Sequence, residues 1–440
     1  MGLDNGLCPN VREERRENGT SVSSENDLIF VSIAAYRDPQ LVRTIESCIA
    51  QAAHPKRLRF GICRQHGEDE PALAYASDAR FRILDVPWQQ SQGVCWARAE
   101  IMKTWAGEQW FLQLDSHCRL APAWDTQLIR WVEDSSSSKA VVSTYASAFT
   151  PGEHEVLEGD PLQVVFRNFT EDGIPCLKPI PIAGWQGMSR PLRARFVSAG
   201  FLFARATLIH DVPYDPELYF LGEEIVLSLR AFTSGYDLFH PCRTVAWHHY
   251  RRAESPKHWT DHVSANGVRT AWQDLDRRSK QTVKQILGGS YQGRFGLGSA
   301  RTLEEYEAYA GLNFRLRRTH AETVRGAEPP TAQLASNWEL RTWKVRFTLE
   351  RSALPAEAFS DPAFWYVGIH DSHGKEIDRR DLSSSEIKEV DASCQEVVLE
   401  RSFESASEPA TWTVWPKTTS GWLQKRVGIL NEQSRWGMPP

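Results

Sequence analysis

The chain has 440 residues and a formal net charge of −5, from 51 Lys and Arg against 56 Asp and Glu. This mild acidity argues against a protein that binds nucleic acid by neutralising its phosphates, and 41% hydrophobic residues exclude a wholly disordered chain. No run approaches the ~20 apolar residues that a membrane span requires, and the length allows roughly two or three domains.

Strands and helices alternate in the first part of the chain. Residues 1–26 are polar, lack an apolar signal core and predict a flexible tail. Apolar, β-branched runs predict strands, and helical spacing of apolar residues predicts helices. The strands cover residues 28–34, 58–63, 81–86 and 110–114, and the helices cover residues 41–49 and 93–105. This rhythm predicts an α/β domain with a largely parallel sheet.

The middle of the chain is rich in Pro and Gly between residues 150 and 195, which predicts long loops inside the same domain. Regular structure is expected to resume after these loops. Strands are predicted at residues 195–197, 200–204 and 236–239, and helices at 223–234, 256–287 and 302–310. The α/β domain is therefore expected to span residues 27–320.

A different pattern follows a predicted linker at residues 321–335, which has two adjacent prolines at its centre. Apolar residues now alternate with a period of two. Four predicted strands cover residues 343–349, 365–369, 396–399 and 411–415. They indicate a β-sandwich domain over residues 336–440.

Tryptophan is abundant in that second domain, since seven of the 17 lie in the last 110 residues. We expect four of them to point inward and fill a small core, because large aromatics dominate protein cores. They are Trp343, Trp365, Trp412 and Trp415. The alternative is that exposed aromatics of this domain bind a carbohydrate, since sugar rings stack on indoles.

The strongest local signal is Asp115-Ser116-His117 at the end of an apolar strand. Side chains two apart on a strand point to the same face, so Asp115 and His117 can offer an oxygen and a nitrogen to one ion. In open α/β sheets the ligand crevice lies beyond the carboxyl ends of the strands, where this pair would sit. The structural alternative is that Asp115 caps a turn and His117 is a surface imidazole.

Five sequence blocks, with a sixth near residue 300, surround this motif in a recognisable order. The blocks are residues 31–38, 96–99, 114–118, 197–204, 220–225 and 295–306. Through them, residues 28–318 resemble the GT-A-fold GlcNAc-transferases, a family that includes the cytoplasmic enzyme acting on hydroxyproline of Skp1. The similarity to polypeptide GalNAc-transferases is more distant. The implied fold class is α/β, a GT-A-like nucleotide-sugar-binding domain followed by an all-β domain.

The resemblance implies that Asp115 and His117 bind a divalent ion, commonly Mn²⁺ with Mg²⁺ as the alternative. Such an ion stabilises the negative charge that grows on UDP as the sugar–phosphate bond breaks. In the related enzymes a downstream histidine is the third ligand. This chain offers His248 and His249. In the relatives an aromatic residue and a basic residue follow this ligand. Matching them to Tyr250 and Arg251 favours His248, and His249 stays open.

Other positions are implied to bind the donor nucleotide sugar. Ala34 and Arg37 match the position that meets uracil and ribose, and Arg98 matches an arginine that grips phosphate or Asp115. Gly200 would let the backbone approach the sugar closely. The structural alternatives are that Arg98 lies on a helix surface and that Gly200 marks a β-bulge.

Two carboxylates follow Gly222 at the start of a predicted helix, where the helix dipole alone would favour them. The resemblance implies that this block contacts the donor sugar or the acceptor, with Glu223 favoured for sugar hydroxyls and Glu224 held as the second candidate. Trp185 is expected either to stack on a sugar or acceptor or to anchor its own loop. The family retains anomeric configuration by front-face displacement, so no protein nucleophile or base is assigned.

The sequence therefore predicts a metal-dependent, retaining transferase that moves GlcNAc from UDP-GlcNAc to a hydroxyl of a protein, peptide or glycan. One alternative keeps the fold with UDP-GalNAc, UDP-Glc or UDP-Gal as donor. Others are a non-catalytic carbohydrate-binding protein and a metal-dependent phosphoesterase. Eight singly scattered cysteines favour a reduced, cytoplasmic setting, with no nucleic-acid or membrane partner.

Overall fold

The computed structural model describes residues 27–252, 255–330, 340–390, 395–431 and 434–437. The predicted tail, residues 1–26, lies outside the described residues. The same holds for residues 331–335 of the predicted linker.

Among the described residues, thirteen strands form the sheets of the α/β part. They are β1 (Ile29–Tyr36), β2 (Leu58–His66), β3 (Phe81–Pro87), β4 (Trp110–Asp115), β5 (Cys118–Leu120), β6 (Ala140–Ser143), β7 (Ser147–Ala148), β8 (Leu162–Phe169), β9 (Pro175–Pro181), β10 (Leu192–Arg193), β11 (Phe201–Arg205), β12 (Asp237–His240) and β13 (Ala246–His248). The helices of this part are α1 (Leu41–Gln51), α2 (Val94–Met102), α3 (Trp124–Asp134), α4 (Leu208–Asp211), α5 (Glu223–Thr233), α6 (His258–Asp261), α7 (Trp272–Leu287), α8 (Leu303–Ala310) and α9 (Ala321–Arg325).

A central eight-stranded sheet has the order β10-β12-β6-β11-β4-β1-β2-β3. Strands β3, β2, β1 and β4 are mutually parallel, whereas β11 runs antiparallel to both β4 and β6. Strands β1 and β4 are buried along almost their whole length, as expected for apolar strands covered by helices on both faces. A small sheet, β5-β13-β7, lies beside the end of β4.

Two expectations for the middle of the chain are wrong. Residues 195–197 do not form a strand, because side chains bind the backbone there: Val197 N donates to Ser228 Oγ at 2.9 Å, and Ser198 N donates to Ser143 Oγ at 2.7 Å. Residues 150–195 are not only loops, since β8 and β9 pair as an antiparallel ribbon. Proline is tolerated in such a ribbon because each strand has an edge without ladder hydrogen bonds.

The C-terminal part is all β apart from short helices. Its strands are β16 (Leu340–Glu350), β17 (Pro362–His370), β18 (Glu376–Arg379), β19 (Leu382–Ser383), β20 (Glu396–Ser405), β21 (Thr411–Thr418), β22 (Gly421–Trp422), β23 (Arg426–Ile429) and β24 (Arg435–Gly437), with helices α10 (Glu357–Ser360) and α11 (Ser384–Lys388). One sheet contains β16, β20 and β24, and the other has the order β18-β17-β21-β22 with β19 and β23 paired at its side. The four predicted strands are confirmed.

The two parts are joined through a shared sheet. Short strands β14 (Leu312–Asn313) and β15 (Arg318–Thr319) extend the sheet of β16, and Thr319 lies opposite Leu340. The predicted linker begins with helix α9, and a side chain at Gly326 would collide with Ile180 and Gln163 of the β8–β9 ribbon. The first half of that linker is therefore packed against the α/β part.

The core of the C-terminal part lies between its two sheets. Trp343, Trp365 and Trp412 are buried there, as predicted, with exposed fractions of 6%, 0% and 8%. The same prediction is wrong for Trp415, which is only half-buried on the opposite face of its strand.

Among the described residues, no helix combines the length and apolar character that crossing a membrane requires. The six described cysteines form no disulfide with one another.

Candidate active site

A cavity of about 560 Å³ opens beyond the carboxyl ends of β1 and β4. The position follows from the sheet: β1 and β4 are parallel neighbours, and Ala34 lies opposite Asp115 near their ends. Eight of the residues predicted for the site line this cavity. They are Ala34, Arg98, Asp115, His117, Gly200, Glu223, Glu224 and His248.

Three of these residues form a group that can hold a metal ion. Asp115 ends β4, the chain turns at Ser116, and His117 precedes β5. Strand β5 pairs with β13, which places Cys118 opposite His248. The ligand atoms of Asp115, His117 and His248 consequently lie within 4.8 Å of one another.

A buried aspartate orients His117. Asp38 Oδ2 lies 2.7 Å from His117 Nδ1 and accepts a hydrogen bond from Ser116 Oγ at 2.6 Å. Because Nδ1 donates to the carboxylate, Nε2 carries the lone pair that a metal needs. Arg252 Nη1 lies 3.1 Å from that Nε2. Burial opposes ionisation of Asp38, but the hydrogen bond with His117 and the charge of Arg252 hold its pKa below the ordinary value.

Burial also lowers the pKa of His117, despite the hydrogen bond with Asp38 that favours protonation. The imidazole is therefore neutral at pH 7, which is the form that ligates metals.

Arg98 links two carboxylates of the cavity. Its side chain is 4% exposed, and it donates to Asp115 Oδ1 at 2.8 Å and to Glu223 Oε1. The other oxygen of Asp115 lies 3.3 Å from His248 Nε2. Burial alone would raise the pKa of Asp115, but His248 and Arg98 together keep it well below the ordinary value. Asp115 is thus an oriented, ionised carboxylate.

Gly200 is positioned directly against Asp115. Its carbonyl accepts a hydrogen bond from Asp115 N at 3.0 Å, and a Cβ at this position would lie 2.8 Å from Asp115 Oδ2. This distance is shorter than real Cβ contacts, so a side chain here would displace the carboxylate. The absence of a side chain at Gly200 therefore leaves the space that the Asp115 carboxylate occupies.

Glu224 also lines the cavity and is held by two donors. Oε1 accepts a hydrogen bond from Ala199 N at 3.0 Å, and Oε2 accepts one from Tyr145 OH. Burial raises its pKa to about 7. A carboxyl group poised in this range can accept or donate a hydrogen bond to a ligand hydroxyl at neutral pH.

Arg37 and Trp185 do not line the cavity. Arg37 pairs with Asp261 at 2.9 Å, and its guanidinium lies 5.5 Å from the Trp88 ring. Trp185 donates to Asp160 Oδ1 at 3.1 Å, and the Arg243 guanidinium lies 5.2 Å from its ring. These contacts agree with the alternative that Trp185 anchors its own loop.

His249 is also outside the ligand group. Its backbone N donates to His117 O at 3.0 Å, while its ring lies beside Phe149. The alternation of side chains along the chain turns His249 away from the cavity that His248 faces.

Sequence reasoning missed Asp38, Tyr145 and Arg252 as members of the site. Asp38 belongs to one of the six sequence blocks, so its position carried a signal. Arg252 follows the predicted ligand His248 by only four residues, so its position also carried a signal. The chain offers no local pattern for Tyr145, which the fold brings to the cavity from a distant segment.

The family model described as Glycosyltransferase (GlcNAc) matches residues 28–80 and 72–316. No curated protein sequence matches the chain.

Similar solved structures include GalNAc-T7 crystallised with UDP, GalNAc and Mn²⁺, at a TM-score of 0.45 and 13% identity over 64% of this chain and 50% of that one. They also include residues 1–349 of S. aureus TarS, at a TM-score of 0.35 and 10% identity over 50% of this chain and 60% of that one. The complex of S. aureus TarS 1–349 with UDP-GlcNAc gives a TM-score of 0.33 and 12% identity. The similarity covers 52% of this chain and 60% of that one.

The chain thus spans about half to three fifths of the length of these neighbours. The family match covers well over half of the chain and includes the α/β part, in agreement with the predicted fold class. This protein belongs to the glycosyltransferase (GlcNAc) family.

Proposed function

We propose that this protein transfers GlcNAc from UDP-GlcNAc to a hydroxyl of a protein, peptide or glycan, with a divalent metal ion at Asp115, His117 and His248. Membership of the family supports glycosyl transfer. The observation that carries the proposal is the convergence of these three ligand atoms within 4.8 Å in the wall of a large cavity.

The residues present fit a divalent ion. One carboxylate oxygen and two imidazole nitrogens converge, and Asp38 fixes the tautomer of His117 that leaves its Nε2 as an acceptor. His248 Nδ1 is buried without a hydrogen-bond partner among the described residues. A bound ion, with Mn²⁺ preferred over Mg²⁺, supplies positive charge beside the donor diphosphate where negative charge develops.

The surrounding residues then have distinct proposed roles. Arg98 is a positioning residue, because it orients Asp115 and Glu223 from a buried site. Glu223 and Glu224 are proposed to contact hydroxyls of the transferred sugar. Ala34 forms the cavity wall at the nucleotide end, and Gly200 leaves room beside Asp115.

The donor is tested by incubating the full chain with Mn²⁺ and one UDP-sugar at a time, and measuring release of UDP. The panel contains UDP-GlcNAc, UDP-GalNAc, UDP-Glc and UDP-Gal. We expect the fastest release from UDP-GlcNAc. Water accepts the sugar in this assay, so equal release from all four UDP-sugars, or fastest release from one other than UDP-GlcNAc, would refute the donor assignment.

The metal site is tested by calorimetric titration with Mn²⁺. His248→Ala should weaken Mn²⁺ binding by at least about tenfold, because it removes one of three ligands. His249→Ala is the matched control, since that ring is adjacent in sequence but outside the ligand group. Equal effects of the two substitutions would contradict the proposed ligand set.

A further inference from the structure

The outer face of the second C-terminal sheet carries aromatic side chains. On β17 and β21, Phe364 lies opposite Lys417, and on β21 and β22 Lys417 lies opposite Trp422. Trp415 is two residues from Lys417 and therefore points to the same face. The intervening residues of these strands point inward to the core.

These rings form a contiguous group, here called the aromatic cluster: Phe364, Trp415 and Trp422. The Trp415 and Trp422 centroids are 4.4 Å apart, and the Phe364 ring meets Trp422 edge-on at 5.4 Å. Trp415 Nε1 donates to Leu423 O at 2.8 Å, which fixes the orientation of that ring. Trp422 is 45% exposed, so its indole is open to solvent.

Two lysines border the aromatic cluster. Lys417 Nζ lies 5.6 Å from the Trp422 ring, and Lys425 Nζ lies 6.0 Å from the Trp415 ring. Neither ammonium forms an ion pair with a carboxylate in the described part of the chain. This local positive charge stands out in a chain whose net charge is −5.

The aromatic cluster faces away from the catalytic cavity. The opposite outer face of the sandwich meets the α/β part: Lys344 of β16 pairs with Glu171, and Ser402 of β20 contacts Asn168 beside the β8–β9 ribbon. None of the three rings of the aromatic cluster lines the cavity. The aromatic cluster is therefore a surface separate from the cavity.

We propose that the aromatic cluster, with Lys417 and Lys425, is a second carbohydrate-binding site that takes an acidic glycan. The C–H face of a pyranose ring stacks on an indole and removes its exposed surface from water. A carboxylate or sulfate on the sugar pairs with the ammonium groups. An apolar protein surface fits less well, because it would bury two unpaired charges.

The test is native affinity electrophoresis of the full chain. Gels contain polygalacturonate as the acidic glycan, dextran as a neutral glycan, or poly(U) as an RNA. We expect retardation by polygalacturonate, which weakens as salt screens the lysines, and little retardation by dextran. Equal retardation by dextran, equal or stronger retardation by poly(U), or none by polygalacturonate would overturn the proposal.

Two variants separate the aromatic and ionic contributions. Trp422→Ala should weaken binding of polygalacturonate by about 5- to 150-fold, the range that loss of a stacking ring produces. The double variant Lys417→Ala, Lys425→Ala should weaken it and remove its salt dependence.

Ile429→Ala and Lys388→Ala are matched controls, since both side chains are exposed in the same part of the chain and outside the aromatic cluster. They should bind like the wild type. If Trp422→Ala does not fold, the double lysine variant still tests the proposal. Retardation of that variant equal to that of the wild type would overturn the proposal.

Discussion

Arg98→Met removes a cation that two carboxylates of the candidate active site share. The side chain of Arg98 is 4% exposed, and that of Glu223 is 6% exposed. Without the guanidinium, Glu223 remains buried near Asp115 with its charge uncompensated. Methionine keeps the unbranched aliphatic stem, so the substitution tests mainly the charge and its hydrogen bonds.

The expected cost follows from this burial. Breaking a buried ion pair by removing one partner costs about 3–5 kcal/mol. Asp115 is 25% exposed, so solvent screens part of its charge, and we expect the lower end of that range, about 3 kcal/mol in the free energy of unfolding. The dissociation constant for Mn²⁺ should rise at least about tenfold, because Asp115 loses the donor that orients it.

Urea unfolding measures the first effect and calorimetric titration with Mn²⁺ measures the second. Arg82→Met is the matched control: Arg82 pairs at 2.6 Å with Glu108, whose side chain is 3% exposed and lies outside the cavity. That variant should lose stability but keep its Mn²⁺ affinity. Wild-type stability together with wild-type Mn²⁺ affinity in Arg98→Met would refute the shared-cation reasoning.

Three further predictions concern neighbouring residues. Gly200→Ala should lower Mn²⁺ affinity, measured by calorimetry, because its Cβ would lie 2.8 Å from Asp115 Oδ2; unchanged affinity would contradict this packing. Asp38→Ala should weaken Mn²⁺ binding by about 10- to 100-fold, since His117 loses its orienting acceptor. Burial raises the pKa of Glu224 from 4.5 to about 7, so its contribution to stability falls as pH rises between these values. Glu224→Gln should therefore flatten the decline in urea stability between pH 5 and 8, by up to about 3 kcal/mol. An unchanged pH profile would contradict the buried-carboxyl account.

Local patterns predicted the elements that create the site. The apolar runs of β1 and β4 and the spacing of Asp115 and His117 placed two potential ligands at the carboxyl edge of the sheet. Choosing His248 over His249 needed the family resemblance, and its geometric reason, the pairing of β13 with β5, is visible only in the structure. Contacts between distant segments, such as Tyr145 with Glu224, left no trace in local sequence.

The wrong expectations have related causes. Prolines at positions 175, 179 and 181 indicated loops, but a two-stranded ribbon accommodates them on its free edges. The apolar stretch at Phe196 and Val197 resembled a strand, yet side-chain hydroxyls satisfy its backbone instead of a neighbouring strand. Trp415 was expected to point inward like Trp412. It lies three residues further along the same strand, so the alternation of side chains turns it to the outer face.

The most direct test of the proposed transferase is calorimetric binding of UDP-GlcNAc to the full chain, with Mn²⁺ and then with EDTA. The candidate metal site lies in the wall of the cavity where the diphosphate would bind, so we expect binding with Mn²⁺ that weakens at least about tenfold in EDTA. His117→Ala should bind equally weakly under both conditions. Equal affinity of the wild type with Mn²⁺ and with EDTA, or no binding of UDP-GlcNAc under either condition, would contradict the account.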